Sequence, residues 1–157
     1  LHTLVLSFNR LAALDGAALA ALPALRHLDV SHNALTRLEP AETRQLPAGL
    51  ESLDSSHNAI ARIGGLARCV GLRALTLSHN RLRSASGLEH LQRLEQLDLG
   101  HNLLSAPLAV RPLGFCRALA VLVLEGNPLA GQPRYRPTLT GLLPHVKAVD
   151  RRALPPS

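Results

Sequence analysis

Apolar residues recur along this chain in one phase, L-x-x-L-x-L-x-x-N-x-L, with asparagine at the ninth position of each unit. The first three copies are Leu1, Leu4, Leu6, Asn9, Leu11; Leu25, Leu28, Val30, Asn33, Leu35; and Leu50, Leu53, Ser55, Asn58, Ile60. The last three are Leu72, Leu75, Leu77, Asn80, Leu82; Leu94, Leu97, Leu99, Asn102, Leu104; and Leu119, Leu122, Leu124, Asn127, Leu129. Successive asparagines lie 24, 25, 22, 22 and 25 residues apart. Alternating apolar residues at positions four and six predict a short strand with one buried face. A repeat of this length predicts that each strand stacks on the next in a parallel sheet, about 4.8 Å away. The asparagine must turn inward, where its amide can bond the backbone of adjacent loops, and such a column is stable only if every member is satisfied. The later leucine closes the back of the coil. One unit cannot bury its own face, so stability comes from its neighbours.

These six units resemble the leucine-rich repeat family over nearly the whole chain. The resemblance implies an α/β solenoid: a curved horseshoe with a parallel β-sheet on the concave face and short helices or turns on the convex face. The 22-residue spacings are similar to the short intracellular class typified by a regulatory subunit of protein phosphatase 1, and the 24- and 25-residue repeats depart from it. Residues 1–130 are assigned to the repeats and 131–157 to a C-terminal cap. The cap assignment rests on Tyr135-Arg136-Pro137, Leu139, Leu142, Leu143-Pro144, Val146, Val149 and Asp150. That series is similar to the segment following intracellular leucine-rich repeats, where a Tyr-Arg pair opens a helix and Leu-Pro leads into a final strand ending in Asp. Pro137 suits a first helical turn. An open solenoid end exposes its leucine core, so a cap is expected. At the other end the repeat is already in phase at Leu1, and upstream residues are expected to cover it in a longer protein.

Composition agrees with many copies of one packing unit. Leucine supplies 36 of the 157 residues, while aromatics are only 2%, with no Trp and no Met. No stretch approaches the roughly 18 apolar residues needed to span a membrane. Cys69 and Cys116 each fall three residues before the first leucine of the next repeat, in a column shared with Leu22 and Leu91. They are expected to be small core hydrophobes. Two repeats apart, they lie about 10 Å from each other at sheet spacing, beyond the roughly 7 Å that a disulfide spans. The capping segment has no cysteine pair, and no repeat asparagine begins an N-x-S/T acceptor. These features point to a reducing, intracellular compartment.

Candidate chemistry is sparse. There is no Gly-rich phosphate loop, no G-x-S-x-G and no H-E-x-x-H, so no enzymatic activity, cofactor, metal or small-molecule substrate is expected. His32, His57, His79 and His101 fill one column just before the asparagine. Such a row can sense pH or bind metal in principle, but its periodicity is accounted for as a structural edge. The net charge is +6 with a pI near 10.9, which favours an acidic partner without identifying one. Arg10, Arg37, Arg62, Arg81 and Arg83 follow the asparagines along one edge of the coil. This basic edge could track phosphates, but with only Phe8, Phe115 and Tyr135 the chain lacks the stacking platforms of single-strand recognition. Direct nucleic-acid binding is therefore not expected, and the edge is read as a solvated surface or a contact for an acidic protein.

The strand residues between the buried leucines must point away from the core. Position three gives Thr3, His27, Ser52, Ala74, Gln96 and Val121; position five gives Val5, Asp29, Asp54, Thr76, Asp98 and Val123. They predict a concave surface that is acidic in its middle and apolar at both ends. His27, Asp29, Ser52, Asp54, Thr76, Gln96, Asp98, Val121 and Val123 are the candidate partner-binding residues. The three aspartates are expected to be exposed, to set orientation and to tolerate replacement without unfolding, and Val123 to contribute burial. The resemblance implies a protein–protein interaction scaffold of a larger cytoplasmic protein, with a cytoskeletal or ciliary (axonemal) setting preferred. The alternative is a regulatory subunit of an enzyme such as protein phosphatase 1. Ser55, at a position otherwise held by Leu or Val, is expected to be buried and to donate to a nearby carbonyl.

Overall fold

The computed structural model describes residues 1–40 and 44–155. Six three-residue strands, β1 (Thr3–Val5), β2 (His27–Asp29), β3 (Ser52–Asp54), β4 (Ala74–Thr76), β5 (Gln96–Asp98) and β6 (Val121–Val123), pair in sequence order and in parallel. The register follows the repeat phase: Leu4, Leu28, Leu53, Leu75, Leu97 and Leu122 oppose one another down the stack. This is an α/β leucine-rich repeat solenoid. From the second repeat on, these central leucines are buried, as are Val30, Leu77, Leu99 and Leu124 at position six. Removing each such side chain from water contributes roughly 1.5–3 kcal/mol.

The outer side of the coil is short and irregular. The first repeat carries the helix α1 (Gly16–Ala20), where the Asp15 side chain caps the start by accepting from the Ala18 N–H. Other repeats cross mainly by turns, and a 3-10 segment, Pro107–Phe115, lies between β5 and β6. Cys69 and Cys116 are buried free thiols in the outer wall of the core. Each donates to a carbonyl, Cys69 Sγ to Pro47 at 3.5 Å and Cys116 Sγ to Leu88 at 3.1 Å. Burial pushes both thiols up to about 11, so neither is a reactive thiolate.

After the sixth repeat comes the helix α2 (Tyr135–Leu142), then β7 (Ala148–Val149), which extends the parallel sheet from β6. The chain turns back into β8 (Arg152–Ala153), which is antiparallel to β7. Asp150 and Arg151 make that turn at φ 51° and 61°, the left-handed pair of a tight hairpin. Asp150 ties this end together. Its Oδ1 accepts from the N–H groups of Leu124 (2.7 Å) and Glu125 (2.9 Å), and its Oδ2 accepts from the Tyr135 hydroxyl at 2.8 Å. Burial and the Asp150 carboxylate push the Tyr135 phenol far above its ordinary range. Residues 156–157 of the segment 131–157 lie outside the described residues.

Two expectations need correction. Ser55 is fully buried, but its hydroxyl has no hydrogen-bond partner, so it does not donate to a carbonyl. A buried hydroxyl without a partner costs about 1–3 kcal/mol. Ser55→Ala removes that penalty at little change in volume and is expected to stabilise by about 1 kcal/mol, read as a rise in the urea midpoint. A fall would mean that the hydroxyl is structurally required. The three concave aspartates, Asp29, Asp54 and Asp98, are half-buried rather than exposed.

Candidate functional site

The sheet brings all nine candidate residues onto one face. His27, Ser52, Gln96 and Val121 belong to one row, and Asp29, Asp54, Thr76, Asp98 and Val123 to the next. His27, Gln96 and Val121 are exposed, the last by 39%; the others are half-buried. The half-burial of the aspartates has a cause. Asp29 Oδ1 accepts from the Ser31 N–H and hydroxyl at 2.9 and 2.7 Å, Asp54 Oδ1 from the Ser56 N–H at 2.9 Å, and Asp98 Oδ1 from the Gly100 N–H at 2.8 Å. The aspartates are therefore not freely exposed, and replacing them with Arg also breaks these loop contacts. Among the described residues no hydrogen bond reaches Oδ2 of these carboxylates, so the face keeps a row of acceptors. Asp29 and Asp54 are direct register neighbours, which concentrates negative charge at that point.

One flank of this face is a charge ladder that the sequence reading missed. Arg26 Nε lies 3.7 Å from Glu51 Oε1, and Arg73 Nη1 lies 3.1 Å from Glu95 Oε1. All four occupy position two of consecutive repeats, and their alternating signs were the available signal. The pairs are solvent-exposed and worth at most about 1 kcal/mol each.

The other flank is a column of stacked rings. Phe8, His32, His57, His79 and His101 stack at centroid distances of 4.1, 4.1, 4.1 and 4.3 Å, tilted by only 10–12°. All five hold φ between 52° and 56°, a left-handed conformation uncommon outside glycine. Each donates its backbone N–H to the next repeat, as His57 does to Ser78 O at 3.0 Å. Gly126 ends the column at φ 75°, where a Cβ would overlap the His101 imidazole.

Burial, then the neighbouring His79 and His32, hold His57 below the ordinary value of 6.5, with Asp54 opposing. Burial, then the nearby Arg117, lowers His145 as well. A histidine whose folded pKa is lowered binds protons more readily when unfolded. Its stability is therefore present above pH 6.5 and is lost as pH falls through the folded value. The melting temperature is expected to hold near pH 7.5 and to fall between pH 7 and 5. His57→Asn, which tolerates the left-handed backbone, should flatten that slope. An unchanged slope would remove the column from the explanation.

Among the described residues no group of three or more His, Cys, Asp or Glu is placed to hold a metal ion. Parallel rings direct their nitrogens side by side rather than toward one point. No helix is long and apolar enough to cross a membrane. Of the five edge arginines, Arg37, Arg62 and Arg83 line neighbouring depressions, while Arg10 and Arg81 line none of these.

Comparison with known proteins agrees with this geometry. Residues 1–60 match a model described as leucine rich repeat, and residues 70–112 match one described as leucine rich repeats (2 copies). The chain belongs to the leucine-rich repeat family. No curated protein matches it significantly by sequence. Among solved structures, a leucine-rich repeat protein of Leptospira interrogans superposes with a TM-score of 0.78 at 30% identity, over 96% of this chain and 37% of that one. An internalin of Listeria monocytogenes superposes with a TM-score of 0.74 at 24% identity, over 95% of this chain and 41% of that one. A chain of the Drosophila melanogaster SNF/U2A′ complex gives a TM-score of 0.62 at 22% identity, over 98% and 74%. This chain thus spans well under half of the first two.

Proposed function

We propose that this domain is a non-catalytic protein-interaction scaffold that receives a basic segment of its partner, a helix or loop, on the concave face. The observation that carries the reading is the row Asp29, Asp54 and Asp98, which keeps Oδ2 open while Oδ1 is committed to the fold. A positioned acceptor row gives orientation and partner choice, and exposed Val121 beside Val123 offers an apolar anchor at one end. One fold neighbour is itself a chain of a complex, SNF/U2A′. The setting we favour is a larger intracellular protein, because two buried free thiols suit a reducing compartment; the cytoskeletal or ciliary role within it is an analogy at the level of fold.

The test uses Asp29→Asn/Asp54→Asn/Asp98→Asn, in which each amide oxygen can still cap its loop while the charge is gone. Affinity purification with quantitative mass spectrometry compares this variant with the wild-type chain, and binding of the protein it loses is then measured with purified components. At least a tenfold loss is expected. Full affinity would overturn the concave-face reading. Stoichiometric recovery of a phosphatase catalytic subunit would replace the scaffold role with that of an enzyme regulator.

A further inference from the structure

Away from the concave face, the coil carries a second surface of opposite sign. Arg37 and Arg62, from successive repeats, line one depression of about 550 Å³. Arg62 and Arg83 line the next, about 560 Å³, and Ile63 is shared between the two. Arg37 also lines a third, about 430 Å³, together with Arg44. Because consecutive depressions share residues, they form one shallow groove running across three repeats, in the order Arg83, Arg62, Arg37, Arg44.

Among the described residues, four arginines line this groove against one carboxylate, Glu39, and none of the four is held in an ion pair. All four arginines are exposed. Arg26 and Arg73, by contrast, each have a glutamate partner, and among the described residues no ion pair reaches Arg37, Arg44, Arg62 or Arg83. The one described carboxylate lining the groove, Glu39, is packed against the backbone of Gly64, where a Cβ would overlap its side chain. Four like charges facing one groove repel in the free protein, and an anionic ligand relieves that repulsion.

The lining selects among anions. Between the arginines lie small or aliphatic groups, Ala12, Ala13, Ala61, Ile63 and Ser84, with no aromatic ring among the described lining residues. Unstacked bases need ring platforms that this groove does not offer. A peptide segment needs only a shallow track with room for methylene stems, and guanidinium groups pair with carboxylates in forked geometry. Arg37, Arg62 and Arg83 come from successive repeats and follow the solenoid axis, with Arg44 beside Arg37, so the matching ligand is a row of carboxylates.

We propose that the Arg83–Arg62–Arg37–Arg44 groove is a second docking surface, separate from the concave face, whose occupant is an extended Asp/Glu-rich segment of a protein. Binding is electrostatic in origin and weakens with salt.

The test titrates a fluorescein-labelled 12-residue peptide of alternating Glu and Ala into the full chain at low and physiological salt. Saturable binding is expected, at least tenfold weaker in Arg37→Ala/Arg62→Ala/Arg83→Ala and changed less than threefold in Asp29→Asn/Asp54→Asn/Asp98→Asn. A charge-matched control, Arg93→Ala/Arg111→Ala/Arg117→Ala, removes the same three charges from exposed positions outside the groove and is expected to cost less than threefold. Equal weakening by both arginine triples would reduce the effect to net charge and overturn the site. No saturable binding by the wild-type chain would overturn it as well. Tighter, groove-dependent binding of a thymidine dodecamer would overturn the protein segment as occupant.

Discussion

Asn102→Ala is expected to destabilise the protein by about 3 kcal/mol, while Asn9→Ala costs about 0.5 kcal/mol or less. The two asparagines occupy the same repeat position, and the difference lies in their neighbours. Asn102 is 4% exposed. Its Oδ1 accepts from the Leu82 N–H of the preceding repeat at 2.9 Å, and its Nδ2 donates to Leu77 O at 2.9 Å and Leu99 O at 3.0 Å. The two carbonyls keep a partner after the substitution, because Asn80 also bonds Leu77 O and Asn127 also bonds Leu99 O. The Leu82 N–H does not, and an orphaned buried donor costs about 1–3 kcal/mol. The vacated side-chain volume and the lost amide bonds supply the remainder. Asn9 is exposed and, among the described residues, bonds its own loop alone, at Leu6 O and Ser7 O, and Leu6 O still receives the Asn33 amide. Urea unfolding followed by circular dichroism reads both variants. Equal losses would show that the column acts within each loop rather than between repeats.

The same column explains why so much of the fold was legible. An inward asparagine and alternating leucines occur at every repeat, so periodicity alone sets the strand register from β1 to β6. What escaped the reading depended on contacts that periodicity does not encode. Aspartate at position five was read from side-chain alternation as a free surface acid. In the fold it also bonds the N–H two residues on, a pattern visible in hindsight as Asp29/Ser31, Asp54/Ser56 and Asp98/Gly100. Ser55 was expected to find a carbonyl partner, and no sequence pattern shows where the free carbonyls point. The basic edge grouped five arginines by their distance from asparagine, but they stand at different positions of the coil, and only Arg37, Arg62 and Arg83 share the groove. Strand β8 is two residues long and follows a turn made without glycine, so neither alternation nor turn chemistry announced it.

Deleting the chain from Tyr135 onward is expected to have the largest effect. The deletion removes the buried side chains of Leu139, Leu143, Val146, Val149 and Leu154, a gross loss on the order of 10 kcal/mol. It strips β6 of its partner β7, and it leaves the Leu124 and Glu125 N–H groups without the Asp150 carboxylate. In a linear stack each repeat is held by its neighbours, so damage at one end propagates inward. The truncated chain should aggregate, or lose the β5 and β6 repeats first, as read by hydrogen exchange. Two point variants grade the effect without deleting anything. Asp150→Ala loses two backbone contacts and the Tyr135 hydroxyl, and should cost about 3 kcal/mol. Tyr135→Phe loses only the hydroxyl contact and should cost about 1 kcal/mol. A truncated chain that stays monomeric with an unchanged melting temperature would show that residues 135–157 do not cap the solenoid. A Tyr135→Phe effect as large as that of Asp150→Ala would place the strength of the junction in the phenol rather than in the carboxylate that bridges helix, hairpin and last repeat.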